Sequence, residues 1–358
     1  MKNIYLQLSE RGNDISGLAL ATVTSTTGST PQKAGSSALF SINGLISGTI
    51  GGGIVEGRVQ EKAGVAVSSG KPGHYTFRLD NSASDGEDAL CGGKISILLD
   101  PNLNDHREVF NSVRKSAEAS IPGVLITIIS EPETERINIR KYWMTDTLLP
   151  ELPVQYMVRI EPEAKSVLSG SNPDDFRKVD LKSSADESDR FALIEPVIPA
   201  PRLIIAGAGH IGKALSKLGQ MLGFEVMVID DRPEFANPVN LTEADHIIAA
   251  DIGETVAGIE KDGHTYIVIV TRGHRDDACA LKACIGSGAA YTGMIGSKNK
   301  VALMKKTFLS GGWASQEQWD AIYAPIGVDI GSRTVEEIAV SIAAQLVEVK
   351  NRKNKKQK

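Results

Sequence analysis

Apolar residues recur along this chain at two spacings, and the balance between them changes near the middle. In the first half, Gly17–Ser25 reads as a strand, and Ala38–Ile42 and Leu45–Ile50 flank Asn43-Gly44. That dipeptide suits the two positive φ angles of a type I′ turn, so a two-residue hairpin is predicted. Ile54–Ser69 follows as a helix with Val55, Val59, Ala63 and Ala66 on one face. Lys94–Leu99 alternates as a strand and Asn104–Ala119 reads as a helix; Val124–Ser130 and Arg136–Tyr142 read as strands. Ser169–Arg190 is rich in Ser, Asp and Lys without apolar periodicity, and a loop is expected there. No strand order follows from this half.

The second half is more regular. Leu203–Ala206, Glu225–Ile229, His246–Ala250, Thr265–Thr271 and Ala290–Ile295 are apolar runs of strand length. Helical stretches at His210–Leu222, Asp276–Ser287 and Ser297–Leu309 separate several of them. Such alternation predicts a doubly wound parallel sheet. A last helix starts at Thr334-Val-Glu-Glu337, a capping box, and carries Val335, Ile338, Ala339, Ile342, Leu346 and Val349 as one stripe. The stripe is expected to pack on its own domain, with part of it free for a dimer contact. Between the halves, Glu195-Pro-Val-Ile-Pro-Ala-Pro-Arg202 holds three prolines, the composition of a semi-rigid linker. The fold class expected is α/β: a mixed N-terminal domain over 1–195, a linker over 196–202, a Rossmann-like domain over 203–350 and a basic tail over 351–358.

Composition narrows the function. The chain has 358 residues and a net charge of −5. Its last nine residues hold six positive charges, so the remainder carries −11 and nucleic acid is not an expected partner. Three cysteines without a CxxC pair disfavour both a disulfide framework and a zinc quartet, and fit a reducing cytoplasm. No signal peptide is read at the start. Ala34–Val55 is 22 uncharged residues, but twelve are Gly, Ser, Thr or Asn, which predicts a hairpin and no membrane span. Glycine, at 35 residues, exceeds the usual ~7% and is clustered in loops.

Those loops carry the candidate chemistry. Gly207-Ala208-Gly209-His210-Ile211-Gly212 follows a strand, opens a helix, and is trailed 23 residues after Gly207 by Asp230 at the end of the next strand. In that context the glycines suit a tight turn, close approach of a pyrophosphate and helix–sheet packing, and Asp230 suits a ribose diol. Arg232 leaves NAD or NADP open. Ser297 caps a predicted helix whose first turn holds Lys298 and Lys300, an arrangement that calls for a nearby anion. Gly51-Gly52-Gly53, before the helix bearing Glu56, offers an amide nest. Cys91-Gly92-Gly93-Lys94 sets a thiol beside a lysine. His274 and Asp277, in Thr271-Arg272-Gly273-His274-Arg275-Asp276-Asp277, suit a proton donor and its orienter or a helix cap. Cys91, His274 and Asp277 are the catalytic candidates; no metal site is read. The residues alone leave open an NAD(P)-dependent oxidoreductase with His274 as acid/base, a nucleotide-responsive regulatory module and a ligand carrier.

With these segments in hand, the chain resembles the XdhC/CoxI family, accessory proteins of xanthine dehydrogenase and related molybdenum hydroxylases. The stretches that carry the likeness are GSTPQKAGSSALF, GTIGGGIVEGRV, LCGGKISILLDP, LIIAGAGHIGKAL, VIDDRPEFAN, TRGHRDD, YTGMIGSKNK and APIGVDIGSRTVEEIAVSIAAQL. They span roughly 15–100 and 200–348; the middle, 101–195, matches loosely. TRGHRDD stands where many members read Thr-His-Asp-His before the final Asp, so only His274 and Asp277 carry over.

The resemblance implies a cytoplasmic maturation factor that binds molybdenum cofactor as cargo, protects its sulfurated form and inserts it into xanthine dehydrogenase or a related hydroxylase. It also implies a homodimer and a cysteine desulfurase as a further partner. The Gly51–Gly53 and Cys91–Lys94 loops are then expected to face the Gly207–Gly212 crevice. A catalytic dehydrogenase chain is excluded, since three cysteines cannot hold two iron–sulfur clusters.

Overall fold

The computed structural model describes residues 4–11, 15–79, 92–131, 137–170, 175–182 and 189–355. The chain divides into two compact units, residues 2–199 and 200–358.

In the first unit the elements run α1 (Ile4–Glu10), β1 (Leu18–Thr27), β2 (Ser37–Ser41), β3 (Gly44–Gly48), α2 (Gly53–Ser69), β4 (Gly73–Arg78) and β5 (Lys94–Asp100). A 3-10 turn (Leu103–His106) leads into α3 (Arg107–Glu118), β6 (Gly123–Glu131), β7 (Asn138–Met144), α4 (Val154–Gly170), β8 (Arg177–Asp180) and β9 (Asp189–Val197). One antiparallel sheet has the order β3-β2-β1-β5-β4 and the other β7-β6-β9-β8. Alternation along each strand gives both sheets two apolar faces. On one face of the first sheet, Ala21, Phe40 and Ile97 receive Val55, Val59 and Ala63 of α2. Its other face, with Leu20, Leu39 and Leu98, meets Leu125, Trp143 and Phe191 of the second sheet, and Tyr5 and Phe110 of α1 and α3 close the side. Ile160, Ala164 and Val167 of α4 cover the far face of the second sheet. The unit is thus layered helix, sheet, sheet, helix.

Three expectations for this half change. The hairpin pairs Ser41 with Gly44, so the turn residues are Ile42 and Asn43. Among the described residues Ser120 is the only non-glycine with positive φ, so the type I′ geometry is absent. The Ser41 hydroxyl accepts the Asn43 amide instead. Within Ser169–Arg190, the structure has a strand, β8, where a loop was expected. It is an edge strand and alternates polar residues around Val179, which hides it from apolar periodicity. Finally, β9 continues through Pro196 and Val197, into the proline-rich segment. Its pairing with β8 ends at Ile194, and beyond that point it pairs only with β6, Pro196 opposite Val124 and Val197 opposite Gly123.

The second unit runs β10 (Arg202–Ala206), α5 (His210–Met221), β11 (Glu225–Asp230), β12 (His246–Ala249), α6 (Ile252–Gly258), β13 (Thr265–Ile269), α7 (His274–Lys282), β14 (Tyr291–Met294), α8 (Lys298–Ser310), α9 (Gln316–Asp320) and α10 (Val335–Lys355). The strands are parallel, in the order β12-β11-β10-β13-β14. Helices α5 and α10 pack Leu215, Ile342 and Leu346 on one face against Leu203, Val226 and Val268. On the other face Val256, Leu281, Met304 and Trp319 meet Ile204, Ile267 and Ile269. The strand order reverses between β10 and β13, and in such sheets a crevice opens there at the carboxyl ends. Among the described residues no helix is long and apolar enough to cross a membrane.

Candidate functional site

The turn between β10 and α5 separates glycines the protein needs from one it does not. Gly207 has φ +119°, and a Cβ there would lie 2.5 Å from the Val270 carbonyl oxygen. A Cβ on Gly212 would fall on the Gly207 carbonyl oxygen. Gly209, the N-cap of α5, has φ −65°, which any residue adopts, and a Cβ there would meet no atom within 4 Å. Neither strain nor packing requires that glycine, and the position has room for close approach of a pyrophosphate. His210, the first residue of α5, is exposed.

The first amides of any helix lack intrahelical partners. In this unit Asp251, Ser297, Ser315 and Thr334 supply side-chain caps to α6, α8, α9 and α10. Helices α5 and α7 begin at Gly209 and Gly273 without one. These two follow β10 and β13, the strands that flank the switch point.

Asp230 ends β11 and is buried. Its Oδ2 accepts the Ala208 amide at 2.7 Å, and Arg232 donates Nε to Oδ1 at 2.8 Å and Nη2 to Oδ2 at 2.9 Å. Burial works against the charge, but the Arg232 side chain and the Ala208 and Arg232 amides outweigh it and hold the carboxyl below its ordinary value. The carboxylate that the sequence offers to a ribose diol is therefore engaged inside the protein. The Arg232 guanidinium lies 3.9 Å from the centre of the Phe235 ring. Asp231 is 3.9 Å from Arg232 Nε and 3.2 Å from Arg272 Nη2, so one exposed carboxylate lies between two guanidinium groups.

The pairing of His274 with Asp277 is replaced by another. His274 is exposed at the start of α7, while Asp277 is fully buried. One Asp277 oxygen accepts the Thr271 hydroxyl at 2.6 Å and the other holds the Lys300 ammonium. Ser297 does cap α8, accepting the Lys300 amide. The anion that the lysine-bearing helix start calls for is, for Lys300, the protein's own Asp277; Lys298 is exposed. Sequence reasoning missed this ion pair. Its signal was a carboxylate and a lysine, each in the first turn after one of two successive parallel strands.

In the first unit, Gly51, Gly52 and Gly53 have φ of +130°, +67° and +55° and open α2. The anion at this nest is again internal. Glu56 Oε1 accepts the Thr49 hydroxyl at 2.8 Å and the Ile50 amide at 3.1 Å. Burial opposes ionisation, but these groups and the Gly52 and Gly51 amides hold the carboxyl below its usual range. Glu56→Ala is expected to cost about 1 kcal/mol, the scale of a lost hydrogen bond. Since the folded-state pKa is depressed, that stabilisation is present above the unfolded pKa and lost as pH falls through the folded one. Urea unfolding of both forms at pH 7 and in acid should show the gap closing.

Pairing of Thr27 with Lys94 brings two glycine loops together: a Cβ on Gly93 would fall on the Ser29 carbonyl oxygen, and one on Gly28 would lie 3.1 Å from Gly93 Cα. Gly51 lies against Pro31 of the same segment. Gly92 adjoins Gly93 and is exposed. Cys91 lies outside the described residues.

A parallel five-stranded sheet, a glycine turn entering the first helix and two helix starts open at the switch point define the second unit as a Rossmann-type domain. Comparison with known proteins makes this specific. Residues 203–346 match the XdhC Rossmann domain, and residues 16–80 match the XdhC and CoxI family. The chain belongs to the XdhC/CoxI family. A Bacillus subtilis protein, named as a probable xanthine dehydrogenase subunit, is 26% identical over 98% of this chain and 99% of its own length. The uncharacterized protein YqeB of Escherichia coli is 23% identical over 98% of this chain and 46% of its own length. A crystal structure of a xanthine dehydrogenase from Bacillus halodurans has the same fold, with a TM-score of 0.75 and 22% identity over 97% of this chain and 96% of that one.

Proposed function

We propose that this protein is an accessory factor of xanthine dehydrogenase or a related molybdenum hydroxylase. It binds molybdenum cofactor as cargo and delivers it to the apo-enzyme, and its Rossmann-type unit holds the phosphate end of a nucleotide-type ligand. The accessory role is supported by the family and by the name of the Bacillus subtilis relative. The nucleotide site rests on one observation: Gly209 is glycine where neither φ nor any protein atom demands it, at an uncapped helix start. Amides there are positioned to take a phosphate.

Two measurements test the two parts. Anaerobic titration of the purified chain with molybdenum cofactor, followed by pterin and molybdenum, is expected to saturate near one per chain and to activate apo-hydroxylase. Absence of binding, with turnover of a nicotinamide dinucleotide instead, makes the protein an oxidoreductase and removes the carrier role. Separately, Gly209→Ala is expected to keep the wild-type circular dichroism and melting profile while nucleotide affinity falls about tenfold or more, the scale of one lost phosphate interaction. Unchanged affinity would remove the Gly207–Gly212 turn from the site.

A further inference from the structure

We infer that the nucleotide held by the second unit is one phosphorylated on its adenosine ribose, an NADP-type dinucleotide, and that Arg232 and Arg272 read that phosphate. The inference rests on the reading that a nucleotide pyrophosphate sits at the start of α5.

The argument starts from which groups remain free at the end of β11. A ribose diol is read by a carboxylate with oxygens to spare. Asp230 stands in the place for that reader, but its oxygens already accept the Ala208 amide, the Arg232 amide and two guanidinium N–H groups. Its side chain is 2% exposed. Freeing it for a diol would break a bidentate pair around a buried charge, which is strongly unfavourable. What the site presents instead are donors. Arg232 commits two of its five N–H groups to Asp230 and keeps three. Its plane is set by Asp230 and by the Phe235 ring, so the fork is held ready for an anion.

Arg272, from the loop after β13, reaches the same place. Its guanidinium and that of Arg232 flank the Asp231 carboxylate, which marks where an anion lies between two cations. Asp231 is 43% exposed and Arg272 58%, so their pair is worth little and opens readily. A phosphate dianion can therefore displace the carboxylate, with Asp231 turning to solvent. It takes the Nη1 and remaining Nη2 hydrogens of Arg232, since the Nε hydrogen stays on Asp230. Asp231 and Glu234 are the acidic groups it must outcompete. A neutral diol has no such exchange available. The two possible rearrangements differ in kind: one breaks an exposed, weak pair and the other a buried, bidentate one.

The test compares NADPH and NADH binding to the full-length protein by calorimetry at one ionic strength. NADPH is expected to bind about tenfold more tightly or better, a typical scale for a charge-assisted contact. Arg272→Ala, an exposed substitution, is expected to weaken NADPH several-fold and leave NADH unchanged. Arg232→Ala is expected to abolish the preference, with circular dichroism checking that the unit stays folded. Equal or tighter NADH binding, or an Arg272→Ala variant that weakens both ligands alike, overturns the ribose-phosphate assignment and leaves the pyrophosphate site standing. Failure of both dinucleotides to bind overturns the nucleotide reading beneath it.

Discussion

Lys300→Met is expected to destabilise the second unit by about 3 kcal/mol, the scale on which a buried charge loses its partner. Asp277 has no exposed surface, and its two oxygens are held by Thr271 and Lys300. Removing the ammonium leaves one hydroxyl facing a carboxylate that cannot reach water. The double variant Asp277→Asn with Lys300→Met removes the charge as well, and is expected to recover most of the loss. Hydrogen exchange of the amides in β13 and β14 would report this unit without interference from the other. Single and double variants of equal stability would mean that the pair carries no coupling. Because Lys300 and Asp277 join the starts of α8 and α7, the pair also ties those two helix starts together.

Stability of the first unit is expected to fall as pH rises from about 5 to 8, and Glu195→Gln to flatten that slope. Glu195, on β9, accepts the Tyr5 hydroxyl at 2.6 Å. Burial pushes its carboxyl up to about 7, against the pull of Tyr5 and Lys141. A carboxyl raised on folding contributes stability that is fully present below its unfolded value and lost as pH passes through the folded one. A shift from 4.5 to about 7 sets an upper bound of about 3 kcal/mol on the effect. Lys141 lies behind it with its ammonium depressed by burial, 3.7 Å from Asp100, whose carboxyl is lowered, despite burial, by His106 and Lys141. Urea unfolding of both forms across that range is the measurement. Parallel curves for wild type and Glu195→Gln would assign the slope to other groups.

How legible was this protein beforehand? The parallel unit could be read almost element by element. Its strands are short apolar runs, and α5, α7, α8 and α10 carry apolar stripes long enough to read locally, whereas the short helices α6 and α9 were not read although each carries a side-chain cap. The capping box at Thr334 and Glu337 is a further local signal, present as read. The face of α2 formed by Val55, Val59, Ala63 and Ala66 is another. Strand β8 was illegible because an edge strand needs only one apolar residue and gains from polar neighbours. The Asn43-Gly44 turn was misread by one position, because the Ser41 hydroxyl takes a turn amide that dipeptide preference does not count.

Site residues followed a different rule. The sequence by itself determined which residues stand at the ends of which elements: glycines at 207, 209 and 212, acids at 230 and 277, and lysines at 298 and 300. It also determined the family, since its motifs recur in order. Only the tertiary structure decided which of these groups remain free. Asp230 is consumed by Arg232 and Ala208, Asp277 by Lys300, and the Gly51–Gly53 nest by Glu56. The reason is physical. A charge or an amide has a residue type and a position in the chain, but its availability depends on what the fold places within about 3 Å of it. A local pattern carries propensity; partners distant in sequence carry satisfaction.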